Sequence, residues 1–100
     1  MEIKCQKEGE YDVIVISGRL DTTTSEDLLG AVNPFFEKEK ANVIFECGEM
    51  EYISSSGLRI FLTAHKGIVA KGGTFVVRNL TPEVQSVMNL TGFSRILTIR

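Results

Sequence analysis

The first twenty residues of the chain alternate between apolar and polar positions in a way that predicts two strands. Residues 2–6 place Ile and Cys between polar side chains, as an edge strand does, whereas residues 13–16 form an unbroken run of Val and Ile. Such a run is typical of a strand that is covered on both faces. Residues 7–10 form a short polar turn with a glycine, so we expect strands at 2–6 and 11–17 to pair as an antiparallel hairpin.

The pattern then changes to a helical period. Apolar side chains in residues 28–36 recur on one helical face, and Thr23 followed by Glu26 matches a capping box. We therefore predict a helix that begins near Thr24. Because Pro34 lacks a backbone N–H and crowds the preceding turn, this helix should kink or stop early there.

Strands and helices continue to alternate to the end of the chain. Segments rich in β-branched and aromatic residues each follow a helical segment, which indicates parallel strands joined by right-handed crossovers. The pattern predicts an α/β fold: a four- to five-stranded mixed sheet, antiparallel in its N-terminal hairpin and largely parallel beyond it, with about three helices. The later elements are a strand at 42–47, a helix from the serine run to about 71–73, a strand at 74–79, a helix from Pro82, capped by Thr81, to Gly92, and a short edge strand at 96–100.

Composition narrows the range of functions. With 100 residues, of which 43% are hydrophobic and 24% charged, the chain suits one domain that spans residues 1–100. Its net charge of −2 and the lack of a Lys/Arg cluster argue against nucleic acid as a partner. No apolar stretch approaches the ~20 residues that cross a bilayer, and the N-terminus lacks the apolar region of a signal peptide. We therefore expect a cytoplasmic chain without membrane insertion.

The cysteines and the single histidine do not suggest a catalytic or metal site. Cys5 and Cys47 lie in predicted strands among apolar neighbours, so we expect both to be buried free thiols. His65 lies about eleven residues, or ~16 Å, along the second helix from Ser54, which is too far for it to activate a serine nucleophile. We expect no catalytic residue, no metal and no cofactor, and a binding role in place of an enzymatic one.

Three consecutive serines, Ser54 to Ser56, stand where a buried strand gives way to the second helix. A helix start leaves about four backbone N–H groups unpaired and carries roughly half a positive charge, so it stabilises a phosphate on a serine there. Serine is also a favoured N-cap residue. On spacing alone, a cap and turn cluster is the simpler interpretation.

The residues around this serine run resemble a known family. Tyr52 to Leu58, together with Gly18–Asp21, Asn79–Pro82 and Leu90–Phe93, resemble the STAS domain (sulfate transporter and anti-sigma factor antagonist) in its stand-alone bacterial form. The family signature is Asp-Ser-Ser-Gly-Leu or Asp-Ser-Ala-Gly-Leu, in which the serine after the aspartate is phosphorylated. Matching residue by residue places Ser54 on the aspartate, Ser55 on the phosphorylated serine, Ser56 on the small residue and Gly57 on the glycine.

The resemblance implies an anti-sigma factor antagonist that acts by partner switching. The domain with unmodified Ser55 would bind a serine-kinase anti-sigma factor and free a sigma factor, phosphorylation would release it, and a PP2C-type phosphatase would restore it. In the family, the aspartate matched by Asp21 belongs to the partner surface, although an aspartate there can equally form a turn. The expected partner-binding residues are Asp21, Thr22, Thr23, Ser54, Ser55, Ser56, Gly57 and Arg59.

Two other functions are compatible with the sequence. Ser54 in place of the family aspartate favours a STAS domain that is not phosphorylated and serves as a docking subunit of a transporter or signalling complex. The N–H groups at the helix start would also permit a small-anion or nucleotide-binding module. Covalent phosphate on Ser55, partner binding without phosphate, and reversible anion binding distinguish the three.

Overall fold

A computed structural model describes all 100 residues, which form five strands, three α-helices and one 3-10 turn. The strands are β1 (Glu2–Glu8), β2 (Tyr11–Leu20), β3 (Asn42–Ile53), β4 (Thr74–Arg78) and β5 (Thr98–Ile99). The helices are α1 (Thr24–Phe36), α2 (Ser55–Ala70) and α3 (Pro82–Thr91), followed by the 3-10 turn at Phe93–Arg95. All strands belong to one sheet in chain order, with β1 antiparallel to β2 and the remaining pairs parallel. The predicted mixed α/β fold is confirmed.

The three helices cover one face of the sheet. Each helix connects two parallel neighbours, and every crossover advances one strand in the same direction, so right-handed connections place all the helices on the same side. The main core lies between these layers. Phe45 of β3 is its centre, with edge-to-face contacts to Phe61 of α2 at 4.9 Å and to Phe75 of β4 at 4.7 Å between ring centroids.

The opposite face of the sheet is sealed by its own side chains. Val13, Ile44 and Val76 form a small buried cluster there. Arg78 spans this face, with Nε 2.8 Å from a carboxylate oxygen of Glu46 and a two-point contact at 3.1 Å to Glu8. The prediction that residues 13–16 are covered on both faces is confirmed for three of them, since only Val15 is partly exposed.

Strand β3 is longer than the predicted 42–47, because it continues to Ile53. Gly48 and exposed glutamates interrupt the apolar run, which is why the pattern alone ended the strand early. Shifts in the β2–β3 register accompany this second half, and Gly18 adopts a positive φ of 87° at one of them. The extension carries the chain directly from β3 into the serine run.

Several smaller predictions can be compared with the structure. The strand predicted at 96–100 is reduced to the two residues of β5. Helix α1 continues through Pro34 to Phe36, so it does not stop early at the proline. Gly92 ends α3 in the left-handed conformation, as predicted. Thr81 occupies the N-cap position of α3, but its hydroxyl donates to the carbonyl of Met50 at 3.1 Å and caps nothing.

The prediction of two buried thiols is wrong for Cys5. This residue is exposed on β1, opposite Ile14, because the helical layer does not extend over the edge strand. Cys47 is buried as predicted, and burial raises the pKa of its thiol well above the usual range. None of the helices is long and apolar enough to cross a membrane.

Candidate functional site

Helix α2 begins at the serine run, and Ser54 is its N-cap. The residue is extended, with φ −91° and ψ 174°, and its Oγ accepts a hydrogen bond of 3.2 Å from the backbone N–H of Gly57. Its own N–H donates to the carbonyl of Leu20 at 2.8 Å, which ties the helix start to the end of β2. Ser54 therefore performs the capping role that the family aspartate would perform at this position.

Ser55 and Ser56 occupy the first turn of α2 and differ from Ser54 in having free hydroxyls. Neither side chain makes a hydrogen bond within the chain, and no acidic residue lies in this turn. Ser55 is exposed, whereas Ser56 is partly buried. Of the three serines, Ser55 is thus the one that is exposed and has a hydroxyl without a hydrogen-bond partner.

Gly57 holds α2 against the ends of two strands. A Cβ atom at this position would lie 2.8 Å from the side chain of Leu20 and 2.9 Å from that of Ile53. Any side chain larger than a hydrogen would force the helix start or the side chains of Leu20 and Ile53 to shift. Gly57 is itself buried, so it exposes little surface, and it allows the close packing that fixes the position of the serine run.

Asp21 caps α1, a role that the sequence assigned to Thr23. The Asp21 Oδ1 accepts hydrogen bonds of 3.1 Å from the backbone N–H groups of Thr23 and Thr24. Hydrogen bonds from Thr24, its backbone N–H first, hold the pKa of the Asp21 carboxyl below its usual range. Thr23 already has helical dihedrals (φ −73°, ψ −47°), so its side chain makes no cap bond and the predicted capping box with Glu26 is wrong.

The two loops lie side by side at one edge of the sheet. Strands β2 and β3 are parallel neighbours and reach this edge in register, with Leu20 opposite Ile53. The loop that begins with Asp21 therefore adjoins the serine run, as expected for carboxyl ends of adjacent parallel strands. Thr22 and Thr23 are exposed on this loop. We call Asp21, Thr22, Thr23, Ser54, Ser55, Ser56 and Arg59 the serine surface.

A cation–π contact borders the serine surface and was missed by the sequence analysis. The guanidinium carbon of Arg19 lies 4.2 Å from the ring centroid of Tyr52, its neighbour across the β2–β3 pair. Tyr52 is 40% exposed, so its ring remains available beside the serine run. This contact was missed because the β2–β3 register that places Arg19 beside Tyr52 was not predicted from the sequence.

His65 does not join this site. It lies on α2 with its Nδ1 buried and without a hydrogen-bond partner, and its ring faces Phe75 with 6.3 Å between ring centroids. The chain contains no group of three or more His, Cys, Asp or Glu side chains placed to hold a metal ion. The arrangement at the sheet edge is thus one of several hydroxyls, the carboxylate of Asp21 and the guanidinium groups of Arg19 and Arg59.

Fold and site together define a class of protein: a small α/β domain with a cluster of polar side chains where two parallel strands end. The family model for the STAS domain matches residues 3–100. The chain belongs to the STAS domain family, in agreement with the resemblance that its motifs predicted.

Relatives with similar sequences and solved structures with the same fold accompany this match. The chain is 28% identical over 99 residues to BtrV of Bordetella bronchiseptica, a protein named as a candidate anti-sigma factor antagonist, covering 99% of this chain and 85% of that protein. A crystal structure of an anti-sigma factor antagonist from Mycobacterium paratuberculosis has a TM-score of 0.87 at 19% identity and covers 98% of this chain and 83% of that one. The Bacillus cell fate determinant SpoIIAA in its phosphorylated form has a TM-score of 0.76 at 19% identity, with 99% and 91% coverage.

Proposed function

We propose that this protein is an anti-sigma factor antagonist that binds an anti-sigma factor through the serine surface and is released when Ser55 is phosphorylated. Membership of the STAS family supports the general role, as do relatives that carry the name. The proposed partner is an anti-sigma factor with serine-kinase activity, and a PP2C-type phosphatase would reverse the modification. The protein acts by binding and is not an enzyme.

The observation that carries the proposal is that the three serines of the run differ in exposure and in hydrogen bonding. Ser54 is occupied as the cap of α2, and Ser56 is partly buried. Ser55 is exposed and has a free hydroxyl. In the sequence it matches the position of the phosphorylated serine in the family signature. A kinase can therefore reach this hydroxyl without opening the helix.

Phosphorylation would alter binding more than folding. It adds about −1.5 to −2 charge at pH 7, and the helix start offsets this by ~0.3–1 kcal/mol, so the domain should remain folded. At an interface the same phosphate must lose its water. If desolvation costs ~3 kcal/mol, the affinity falls roughly a hundredfold, which is enough to redistribute partners.

The proposal is tested by treating the protein with a candidate GHKL-type serine kinase and ATP and locating the phosphate by mass spectrometry. We expect covalent phosphate on Ser55 and on neither of its neighbours. Ser55→Ala should abolish labelling, while Ser56→Ala, the matched control, should retain it. Label on Ser54, or unchanged labelling of Ser55→Ala, would show that the assignment of the motif is wrong.

A docking role without phosphorylation is a second candidate, favoured by Ser54 in place of the family aspartate. In that case the serine surface would hold a partner permanently. Tight pulldown of a partner by the unmodified protein, with no phosphate acquired from any candidate kinase, would support this role over switching. Reversible binding of free phosphate or nucleotide, without covalent labelling, would support an anion-binding module instead.

A further inference from the structure

Arg59 lies one helical turn beyond Ser55 on the same exposed side of α2. Both residues are exposed, and they are four positions apart in a continuous helix. Side chains with this spacing are neighbours, with about 5–6 Å between their Cβ atoms. The guanidinium of Arg59 can therefore reach a group attached to the Ser55 hydroxyl without any change in the backbone.

Arg59 has no ionic partner within the chain. Lys7 and Arg78 are the only cations that form ion pairs in the protein, and Arg19 is engaged with the ring of Tyr52. Helix α2 itself contains no Asp or Glu. An uncommitted cation is thus present beside the one serine of the run that is both exposed and unbonded.

We propose that Arg59 binds the phosphate of phosphorylated Ser55 within α2 and is a positioning residue of the switch. This inference rests on the proposed function, because it requires Ser55 to be modified. A guanidinium can donate two parallel hydrogen bonds to a phosphate, and an anion that precedes a cation by four residues has the favourable orientation along a helix. The pair would hold the phosphate against the helix surface.

The consequence for partner exchange is twofold. In the unmodified protein the Arg59 guanidinium belongs to the serine surface and is free to pair with a carboxylate of a partner. After phosphorylation the same guanidinium is engaged by the chain's own phosphate. Modification would then add negative charge to the serine surface and remove a cation from it in one step.

The experiment uses protein with phosphoserine incorporated at position 55 during translation, so that no kinase is needed. A ³¹P NMR titration measures the second pKa of this phosphate in the otherwise unchanged protein and in Arg59→Gln, Arg59→Lys and Lys66→Gln. Lys66 is the matched control, because it is an exposed cation on α2 at eleven positions from Ser55. The helix start contributes equally to all four proteins, so differences among them isolate the side chains.

We expect Arg59→Gln to raise the phosphate pKa by about 0.2–0.4 units, because the dianion loses its counter-charge. Arg59→Lys should recover most of that shift, and Lys66→Gln should leave the pKa unchanged. Equal pKa values in the unsubstituted protein and Arg59→Gln, with both folded by circular dichroism, would overturn the proposal. So would an equal shift for Lys66→Gln, which would indicate a diffuse charge effect.

The outcome is separable from that of the proposed function. Kinase labelling of Ser55 with no effect of Arg59 on the phosphate pKa overturns this inference alone. No labelling by any kinase, with the pKa shift present, overturns phosphorylation switching but supports the pairing geometry of Arg59.

Discussion

Ser54 and Ser55 are adjacent residues that the start of α2 uses in opposite ways. The Ser54 hydroxyl is directed to the backbone of Gly57, whereas the Ser55 hydroxyl is free. Asp21 combines both conditions, since one carboxylate oxygen caps α1 while the residue lies on the serine surface. Variants at single positions can therefore separate stability from recognition.

Ser55→Asp and Ser55→Ala should separate binding from folding. Both variants should melt within about 4 °C of the unsubstituted protein, because an acidic group suits a helix start and the alanine removes no hydrogen bond seen in the chain. Affinity for the anti-sigma partner should fall for Asp and persist for Ala, as measured by calorimetry. Equal affinities of the two variants would remove charge as the variable that controls switching.

Asp21→Asn and Asp21→Ala form a second matched pair. Asparagine retains an oxygen that can accept from the N–H groups of Thr23 and Thr24, so its melting temperature should change by less than about 2 °C. Alanine removes the cap and should lower it by about 4–8 °C. If Asp21 also contacts the partner, Asp21→Asn should alter partner affinity or the rate of Ser55 phosphorylation even though it leaves stability nearly unchanged. Intact binding and phosphorylation in Asp21→Asn would reduce the residue to a helix cap.

At the scale of elements, the close packing of α2 against β2 and β3 places the serine run at the sheet edge. Gly57 permits this contact, because the side chains of Leu20 and Ile53 occupy the space that a methyl group would need. Gly30 on α1 provides a contrast, with no atom within 4 Å of the position a Cβ would take. The two glycines should thus respond to the same substitution with opposite signs.

Gly57→Ala should destabilise the protein by about 1–3 kcal/mol through overpacking. Gly30→Ala should stabilise it by about 0.4–1 kcal/mol, because it restricts the unfolded chain and favours the helix without steric conflict. Urea unfolding measures both. A neutral Gly57→Ala would mean that α2 can move away from the sheet at little cost, and the serine surface would not be rigidly placed.

The elements that the sequence predicted correctly are those with local signals. Alternation and β-branched runs indicate β1 and β2, and Gly92 marks the end of α3 by its backbone freedom. The predictions failed where the decisive contact is distant or competes with an equally good local signal. The Arg19–Tyr52 contact depends on strand register, the exposure of Cys5 depends on how far the helices extend, and Asp21 displaced Thr23 as the cap of α1.

At the scale of the whole molecule, the helices protect one face of the sheet and an ion network protects the other. Arg78 joins Glu46 in the adjacent strand to Glu8 at the end of β1 and thereby spans the sheet. Hydrogen bonding to Arg78, followed by its positive charge, lowers the pKa of the Glu8 carboxyl. The contribution of this ion network to the stability of the protein should therefore depend on pH.

Glu8→Gln should lower the melting temperature at neutral pH, and the melting temperature of this variant should fall less on acidification than that of the unsubstituted protein. Since the folded-state pKa of Glu8 lies below its ordinary value of 4.5, the stabilisation is fully present above that value and is lost as pH falls through the folded pKa. The difference between the two proteins should be largest at neutral pH and shrink as the pH falls below 4.5. Glu10→Gln, at an exposed position without an ion pair, is the control. A constant difference across this range would mean that Glu8 stabilises the fold without its charge.

The contact between Glu8 and Arg78 also bears on the order in which the protein folds. These residues are separated by 70 positions, so their pairing must wait until β1 and β4 belong to one sheet. Loop closure of that length is costly before neighbouring contacts exist, and we expect the pair to be absent from the rate-limiting barrier. Glu8→Gln should then accelerate unfolding and leave the folding rate nearly unchanged. The same bridge would thus lengthen the lifetime of the folded molecule modestly without changing how quickly it forms.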